Sequence, residues 1–115
     1  MIPADVRIFV CTEPVDMRRS FDGLALAARE RLGQDPRQGG LFVFGTRRAN
    51  RLKVLWFDRN GYCLLYKRLH QALFCLPRAT AGVAARIDGA ALVQLLAGVP
   101  RPPRRGGAPA AADIA

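Results

Sequence analysis

The 115-residue chain is poor in acidic residues, lysine and histidine. It carries 9 Asp and Glu against 18 Lys and Arg, which gives a formal charge of +9, and its lysines are Lys53 and Lys67 alone. The guanidinium group of arginine matches phosphate and stacks on bases, so nucleic acid is the first polyanionic partner to consider. A GC-rich genome explains the preference for arginine over lysine, but it does not explain the twofold excess of basic over acidic residues.

Other absences narrow the class of protein. The apolar runs are far shorter than the ~20 residues that a membrane helix requires, and the N-terminus lacks the layout of a signal peptide. We therefore expect a cytoplasmic protein. The cysteines, Cys11, Cys63 and Cys75, form no Cys-x-x-Cys pair and no Cys/His cluster, so no zinc site and no cofactor is expected. Each lies in an apolar run, which predicts three buried thiols.

Local patterns predict both helices and strands. Helical spacing of apolar residues marks 21–32, with Ser20 as the N-cap, and 88–97, with Asp88 as the N-cap. Strands are predicted at 6–11, 41–44, 52–57 and 62–69, with a further short strand at 73–76. The Asn60-Gly61 pair predicts a tight turn that joins 52–57 to 62–69 as a hairpin.

These elements predict an α+β fold, in which a small antiparallel meander of three to four strands is flanked by two helices. A single domain is expected over residues 1–98, followed by a disordered tail rich in Pro, Arg and Ala over 99–115. Both faces of the 52–57 strand are apolar, whereas a sheet with one wet face would alternate apolar and polar residues. The second face is therefore covered either by the helices or by another subunit, which leaves a homo-oligomer open.

Basic residues gather at one end of the predicted hairpin. Because its strands are antiparallel, the start of 52–57 lies beside the end of 62–69, and Arg59 in the turn lies at the opposite end. The residues predicted to form a DNA-binding surface are Arg47, Arg48, Asn50, Arg51, Lys53, Lys67 and Arg68. The arginines and lysines would contact phosphates, and Asn50 would add a hydrogen bond to the DNA backbone or to a base. The alternative is that they solvate a strand end and discourage edge-to-edge aggregation.

Arg18 and Arg19 form a second basic spot just before the first helix. Backbone N–H groups at the helix start would help these arginines to bind an anion. Alternatively, Arg18 forms an ion pair with Asp16, and the sequence does not choose between the two. The aromatic residues of the hairpin either pack in the core or stack on bases, and these are Trp56, Tyr62 and Tyr66.

The chain offers little for catalysis. Metal-dependent strand cleavage needs converging carboxylates. The three candidates have structural explanations instead: Asp16 as an arginine partner, Asp22 as a helix N-terminal charge and Asp58 as a turn residue. His70, the single histidine, has no recognisable nucleophile signature around it. We therefore expect a protein that is not an enzyme.

Four segments occur in the order and spacing of a known family. They are Asp16–Leu24 (DMRRSFDGL), Leu41–Phe44 (LFVF), Arg51–Leu69 (RLKVLWFDRNGYCLLYKRL) and Phe74–Pro77 (F-x-x-P). Together they resemble the small accessory protein, called TnpB, of insertion sequence sixty-six family transposable elements. The resemblance covers about residues 1–98, nearly everything but the tail.

The resemblance implies a factor for transposition of a bacterial insertion sequence, encoded beside a larger transposase that carries the acidic catalytic residues. It does not extend to the RNA-guided nuclease that is also called TnpB, because that enzyme is several times longer and has an acidic triad and a zinc ribbon. The expected function is that of a non-catalytic accessory protein that binds element DNA, the transposase of the same element, or both. The alternative is a protein–protein adaptor of the transposase with no direct DNA contact.

Overall fold

The computed structural model describes residues 5–79 and 82–100. Along the chain it contains β1 (Ile8–Cys11), α1 (Phe21–Leu32), a single 3-10 turn (Pro36–Gln38), β2 (Leu41–Gly45), β3 (Arg51–Asp58), β4 (Gly61–Arg68), β5 (Ala72–Leu73), β6 (Ala84–Ile87), α2 (Gly89–Ala97) and β7 (Val99–Pro100). The predicted tail lies outside the described residues from 101 onward.

The main sheet has five strands in the order β4-β3-β2-β1-β6, and a separate two-stranded sheet pairs β5 with β7. The α+β class is confirmed, and β2, β3 and β4 form the predicted antiparallel meander. The sheet is nevertheless mixed, because β1 pairs with β2 in parallel. A parallel neighbour requires a long crossover, which α1 supplies.

Two strands differ from the sequence-based expectation. β6 pairs with β1 antiparallel at the sheet edge, and its short AARI sequence has no alternating pattern that would have predicted it. The segment predicted as a strand at 73–76 contributes only Leu73 to β5, which pairs with β7 outside the main sheet.

Each face of the main sheet carries its own apolar core. On one face α1 packs Leu24, Ala28 and Leu32 against β-strand residues such as Leu55. On the other face α2 packs Leu92 and Leu95 with residues that include Leu52, Val54 and Phe74. The helices therefore cover both faces, which explains why β3 is apolar on both sides.

The helix and hairpin ends follow local chemistry with two exceptions. The Asp88 carboxylate accepts a hydrogen bond from Ala91 N at 2.8 Å, which confirms it as the N-cap of α2. Ser20 occupies the N-cap position of α1, but its side chain makes no capping bond. The hairpin turn consists of Arg59 and Asn60 rather than Asn60 and Gly61, because Asp58 pairs with Gly61, and Arg59 adopts a positive φ of 55°.

The cysteines differ in exposure. Cys11 is buried, Cys63 is half-buried and Cys75 is exposed, so the expectation of a buried thiol is wrong for Cys75. Across residues 5–79 and 82–100, no helix has the length and apolar character needed to cross a membrane.

Candidate nucleic-acid interface

The loop between β2 and β3 presents Arg47 and Arg48 to solvent. Ala49 N donates to Thr46 O at 3.0 Å and closes a turn behind the two arginines. Ala49 O in turn accepts a hydrogen bond from Phe74 N at 2.6 Å, which fastens the loop to the segment after β4. Backbone hydrogen bonds thus fix the conformation of the loop, and with it the positions of the backbone that carries the two exposed arginines.

Asn50 lies at the foot of this loop and is half-buried. Its backbone carbonyl accepts a hydrogen bond from Leu69 N at 2.8 Å, which extends the pairing of β3 and β4 beyond the ends of the two strands. The position of Asn50 therefore has a structural explanation, and its contact with DNA stays a prediction.

Arg51 and Arg68 are direct cross-strand partners in the register of β3 and β4. Paired residues point to the same face, and alternation along β3 places Arg51 on the face of Lys53 and Leu55, which is the α1 face. Neither arginine forms a salt bridge with a carboxylate of the described residues. Two like charges held opposite each other repel, and an anion between the two guanidinium groups would offset that repulsion.

Lys53 is not part of the exposed surface. Only 7% of the residue is exposed, and its ammonium group donates to Met17 O at 2.7 Å and Arg19 O at 2.8 Å. The ammonium also lies 4.9 Å from the centroid of the Tyr66 ring. The prediction that Lys53 contacts phosphate is therefore corrected: its cation fastens the segment before α1 to the sheet.

Lys67 shares the end of the sheet with the arginines but not their face. It is the cross-strand partner of Leu52, whose side chain belongs to the α2 core. Its ammonium donates to Leu96 O in the last turn of α2 at 2.7 Å, a favourable position for a cation next to unpaired carbonyls. The predicted cationic cluster is thus divided between two faces of the sheet.

Arg18 and Arg19 are brought to the same end because Lys53 binds the segment that carries them. Arg18 donates to the Asp16 carboxylate, with the closest N–O distance at 2.7 Å, so the ion-pair alternative is the one observed. The hydrogen bonds from Arg18 lower the pKa of Asp16 from 3.8 to about 2. The Arg19 guanidinium contacts Gly23 O at 3.4 Å, within the first turn of α1.

Asp16 and Asp58, two of the three carboxylates considered for catalysis, do not converge. Asp16 lies near the end of β2, because Val15 N donates to Gly45 O at 2.9 Å. Asp58 lies at the far end of β3, about 24 Å from Arg51 by the rise of a strand. In the part of the chain that the structure describes, no three His, Cys, Asp or Glu side chains form a group suited to a metal ion.

Sequence reasoning did not foresee the burial of Lys53 or the exposure of Tyr66. Trp56 and Tyr62 pack against the two cores, whereas Tyr66 is 51% exposed. One signal for Lys53 was present in the sequence. Lys53 lies on the same face of β3 as Leu55, and both faces of this strand are apolar, so its side chain had to enter a covered face.

Comparison with known proteins matches the chain to a family. The model of the family described as IS66 Orf2 like protein matches residues 6–105. The chain belongs to this family. Membership indicates an accessory role in transposition and confirms the resemblance seen in the sequence segments.

Two relatives come from Sinorhizobium fredii, and both carry the description of uncharacterized protein. The protein y4hO is 43% identical over 101 residues, which cover 86% of this chain and 87% of the relative. The protein y4jC is 39% identical over 72 residues, which cover 63% of this chain and 62% of the relative. No solved structure matches the chain.

Proposed function

We propose that this IS66 Orf2 like protein is a non-catalytic accessory factor that binds element DNA through the basic end of its sheet. We define the basic end as Arg47, Arg48, Arg51 and Arg68. The observation that carries the proposal is that these four arginines lie at one end of the sheet without a salt bridge to any carboxylate of the described residues. Cations left without protein partners are free to replace the counterions of a phosphate backbone.

The rest of the molecule supports a surface that contacts the phosphate backbone of DNA rather than one that recognises a base sequence. The arginines are carried by a loop and by strand ends, and α1 packs its apolar side on the sheet. No helix of the described residues projects a row of polar side chains in the manner of a recognition helix. We therefore expect affinity that depends strongly on salt and weakly on sequence.

The test is DNA binding measured by fluorescence anisotropy from about 50 to 200 mM salt. For Arg47/Arg48/Arg51→Ala, we expect an affinity about tenfold lower or worse and a salt slope reduced by about 2–3, since each lost phosphate contact removes about one unit. Salt-sensitive binding that is unchanged in this variant would place the DNA contact elsewhere. Absence of binding by the wild type would overturn the proposal.

A matched control removes the same charge from the other end of the sheet. Arg59 lies in the hairpin turn, Arg37 lies 5.6 Å from the centroid of the Phe57 ring, and Arg29 lies 3.9 Å from Asp35. Arg29/Arg37/Arg59→Ala should keep most of the affinity. Equal losses in the two triple variants would mean that net charge, rather than the basic end, accounts for binding.

A second candidate function is an adaptor that contacts the transposase of the same element. It is favoured by an open groove of about 550 Å³ between α2 and the strands β2, β3 and β4, whose apolar lining includes Val6, Trp56, Leu65, Leu92 and Leu96. Leu65 is 40% exposed on the edge strand β4, so an apolar partner side chain would bury it.

Co-purification with the transposase in high salt tests the adaptor, because salt removes DNA-bridged association. Leu65→Gln should weaken the complex, whereas Val93→Gln, at an exposed position of α2 outside the groove, should not. A complex that resists both substitutions would exclude the groove as the contact.

A further inference from the structure

Tyr66 is an exposed aromatic residue within a cationic block on the α1 face. The block consists of two adjacent cross-strand pairs, Arg51–Arg68 and Lys53–Tyr66, which follow each other on β3 and β4. Positions two apart on a strand are separated by about 7 Å and point to the same face. A tyrosine ring and two arginines are therefore presented side by side.

The Tyr66 ring is supported from within the protein. The Lys53 ammonium lies 4.9 Å from the ring centroid and is itself fixed by Met17 O and Arg19 O. The buried ammonium lies over one face of the ring, while Tyr66 as a whole is 51% exposed. Tyr66 thus offers a solvent-facing aromatic surface whose orientation is set before any ligand binds.

The other large aromatic residues of the hairpin do not offer such a surface. Phe57 and Tyr62 pack edge to face with ring centroids 5.1 Å apart, and Trp56 packs against the α2 core. An exposed tyrosine beside unpaired arginines is also a poor surface for an apolar protein partner, because burial of the two guanidinium groups would cost free energy. Charge complementarity instead favours an anion that carries a flat aromatic group, as a nucleotide does.

We propose that this block binds unpaired nucleotides of DNA, with a base stacked on Tyr66 and the neighbouring phosphate held between Arg51 and Arg68. This rests on the proposed DNA-binding function and deepens it. A base in a duplex is stacked on its own neighbours and cannot reach the ring, whereas an unpaired base exposes its face. A phosphate between the arginines replaces their mutual repulsion by charge-assisted hydrogen bonds. Lys53 is a positioning residue in this arrangement.

The test compares a fluorescent oligonucleotide of about 16 nucleotides as a single strand and as a duplex. Tyr66→Leu removes the aromatic ring and should lower single-strand affinity by roughly 5- to 100-fold while leaving duplex affinity and the salt slope unchanged. Tyr66→Phe keeps the ring and should stay within about twofold of the wild type. Arg68→Ala should weaken both DNA forms and reduce the salt slope by about 1.

The wild-type protein provides a second measurement that needs no substitution. The chain has two tyrosines, so NMR with ring-labelled tyrosine gives one probe in the block and one reference, Tyr62. Addition of the single strand should move the Tyr66 ring signals upfield by ring current and leave those of Tyr62 in place. The urea midpoint of Tyr66→Leu establishes that the variant is folded.

The outcomes separate the two proposals. Salt-dependent duplex binding with no effect of Tyr66→Leu and no Tyr66 shift would overturn base stacking and leave the proposed function intact. Equal loss of single-strand and duplex binding in Tyr66→Leu would also overturn stacking. If the wild type binds neither form of DNA, both proposals fail.

Discussion

The two lysines of this protein stand at the same end of one hairpin, yet they lie in different environments. Lys53 on β3 points to the α1 face, is buried, and donates to two carbonyls of the segment before α1. Lys67 on β4 points to the α2 face, is exposed, and donates to a single carbonyl at the end of α2. Both ammonium groups bind backbone oxygen, whereas Arg47, Arg48, Arg51 and Arg68 have no carboxylate partner among the described residues.

The comparison shows that cations in an apolar segment can serve different purposes. A compact ammonium with three donors suits carbonyl groups that converge on one point, as around Lys53. A guanidinium carries a planar fork that suits phosphate; Arg47, Arg48 and Arg68 are exposed, and Arg51 is half-buried. The two lysines thus hold the helix layers to the sheet, Lys53 through Met17 O and Arg19 O before α1 and Lys67 through Leu96 O at the end of α2.

The largest expected effect is the loss of the Lys53 ammonium. Lys53→Met keeps an unbranched stem but leaves Met17 O and Arg19 O without their donor, so we expect the free energy of unfolding to fall by about 2–3 kcal/mol. Lys67→Met, the matched control on the exposed face, should cost less than about 1 kcal/mol. Urea denaturation of both variants measures the difference. Equal costs would contradict the distinction between the two lysines.

The second prediction compares two contributions to stability at the end of α2, the close packing around Gly98 and the hydrogen bond from Lys67. Gly98 has a φ of 76°, and a Cβ there would meet Leu69 Cδ1 at 2.5 Å and Leu73 O at 3.1 Å. We expect Gly98→Ala to lower the free energy of unfolding by about 1–3 kcal/mol, which exceeds the effect of Lys67→Met. Gly61→Ala is the control, since no atom lies within 4 Å of its added Cβ. Thermal unfolding that ranks Lys67→Met above Gly98→Ala would give Lys67 the larger role.

The third prediction concerns the effect of the Arg51–Arg68 pair on the free energy of unfolding. Arg68→Thr removes the like-charge pair with Arg51 and introduces a residue that favours strands, so stability should rise by about 0.2–1 kcal/mol. DNA affinity should fall in the same variant. A variant that is less stable than the wild type in urea would show that Arg51 and Arg68 do not repel each other in the folded protein.

The smallest expected effect concerns acid pH and the exposed pair of Asp16 and Arg18. The pKa of Asp16 is lowered from 3.8 in the unfolded chain to about 2 in the folded protein, so the pair stabilises the fold above pH 3.8. This contribution is lost as the pH falls from 3.8 toward 2. An NMR titration of the Asp16 carboxyl group should give a midpoint near 2, and Asp16→Asn should flatten the stability profile in that window. A midpoint at 3.8 would show that the pair does not persist in solution.

Much of the local structure was predictable because short-range chemistry determines it. The helix over 21–32, the meander of β2, β3 and β4, and the Asp88 N-cap follow from spacing, β-propensity and capping. The turn was misplaced by one residue. The register of β3 and β4 pairs eight residues of each strand and ends at Asp58 and Gly61, and this register outweighs the preference of Asn-Gly for the two central turn positions. β6 was missed because its pairing with β1 joins residues far apart in the sequence.

The candidate site was predictable only in part. Antiparallel pairing correctly brought Arg51 and Arg68 together, and that step needed no more than the hairpin. The burial of Lys53 depends on the position of the segment before α1, since Lys53 and Met17 are 36 residues apart in the chain. Contacts of that separation depend on how the crossover packs on the sheet, which local patterns do not encode.

The sequence by itself determined the excess of arginine, the hairpin that places the basic residues at one end, and the family segments. Only the tertiary structure decided which cations remain free, because alternation along a strand assigns a side chain to a face without saying what covers that face. Packing of α1 placed carbonyl groups over Lys53, and packing of α2 placed one beside Lys67. Arg51 and Arg68 received no carboxylate from the described residues, so the repulsion between these cross-strand partners is left uncompensated.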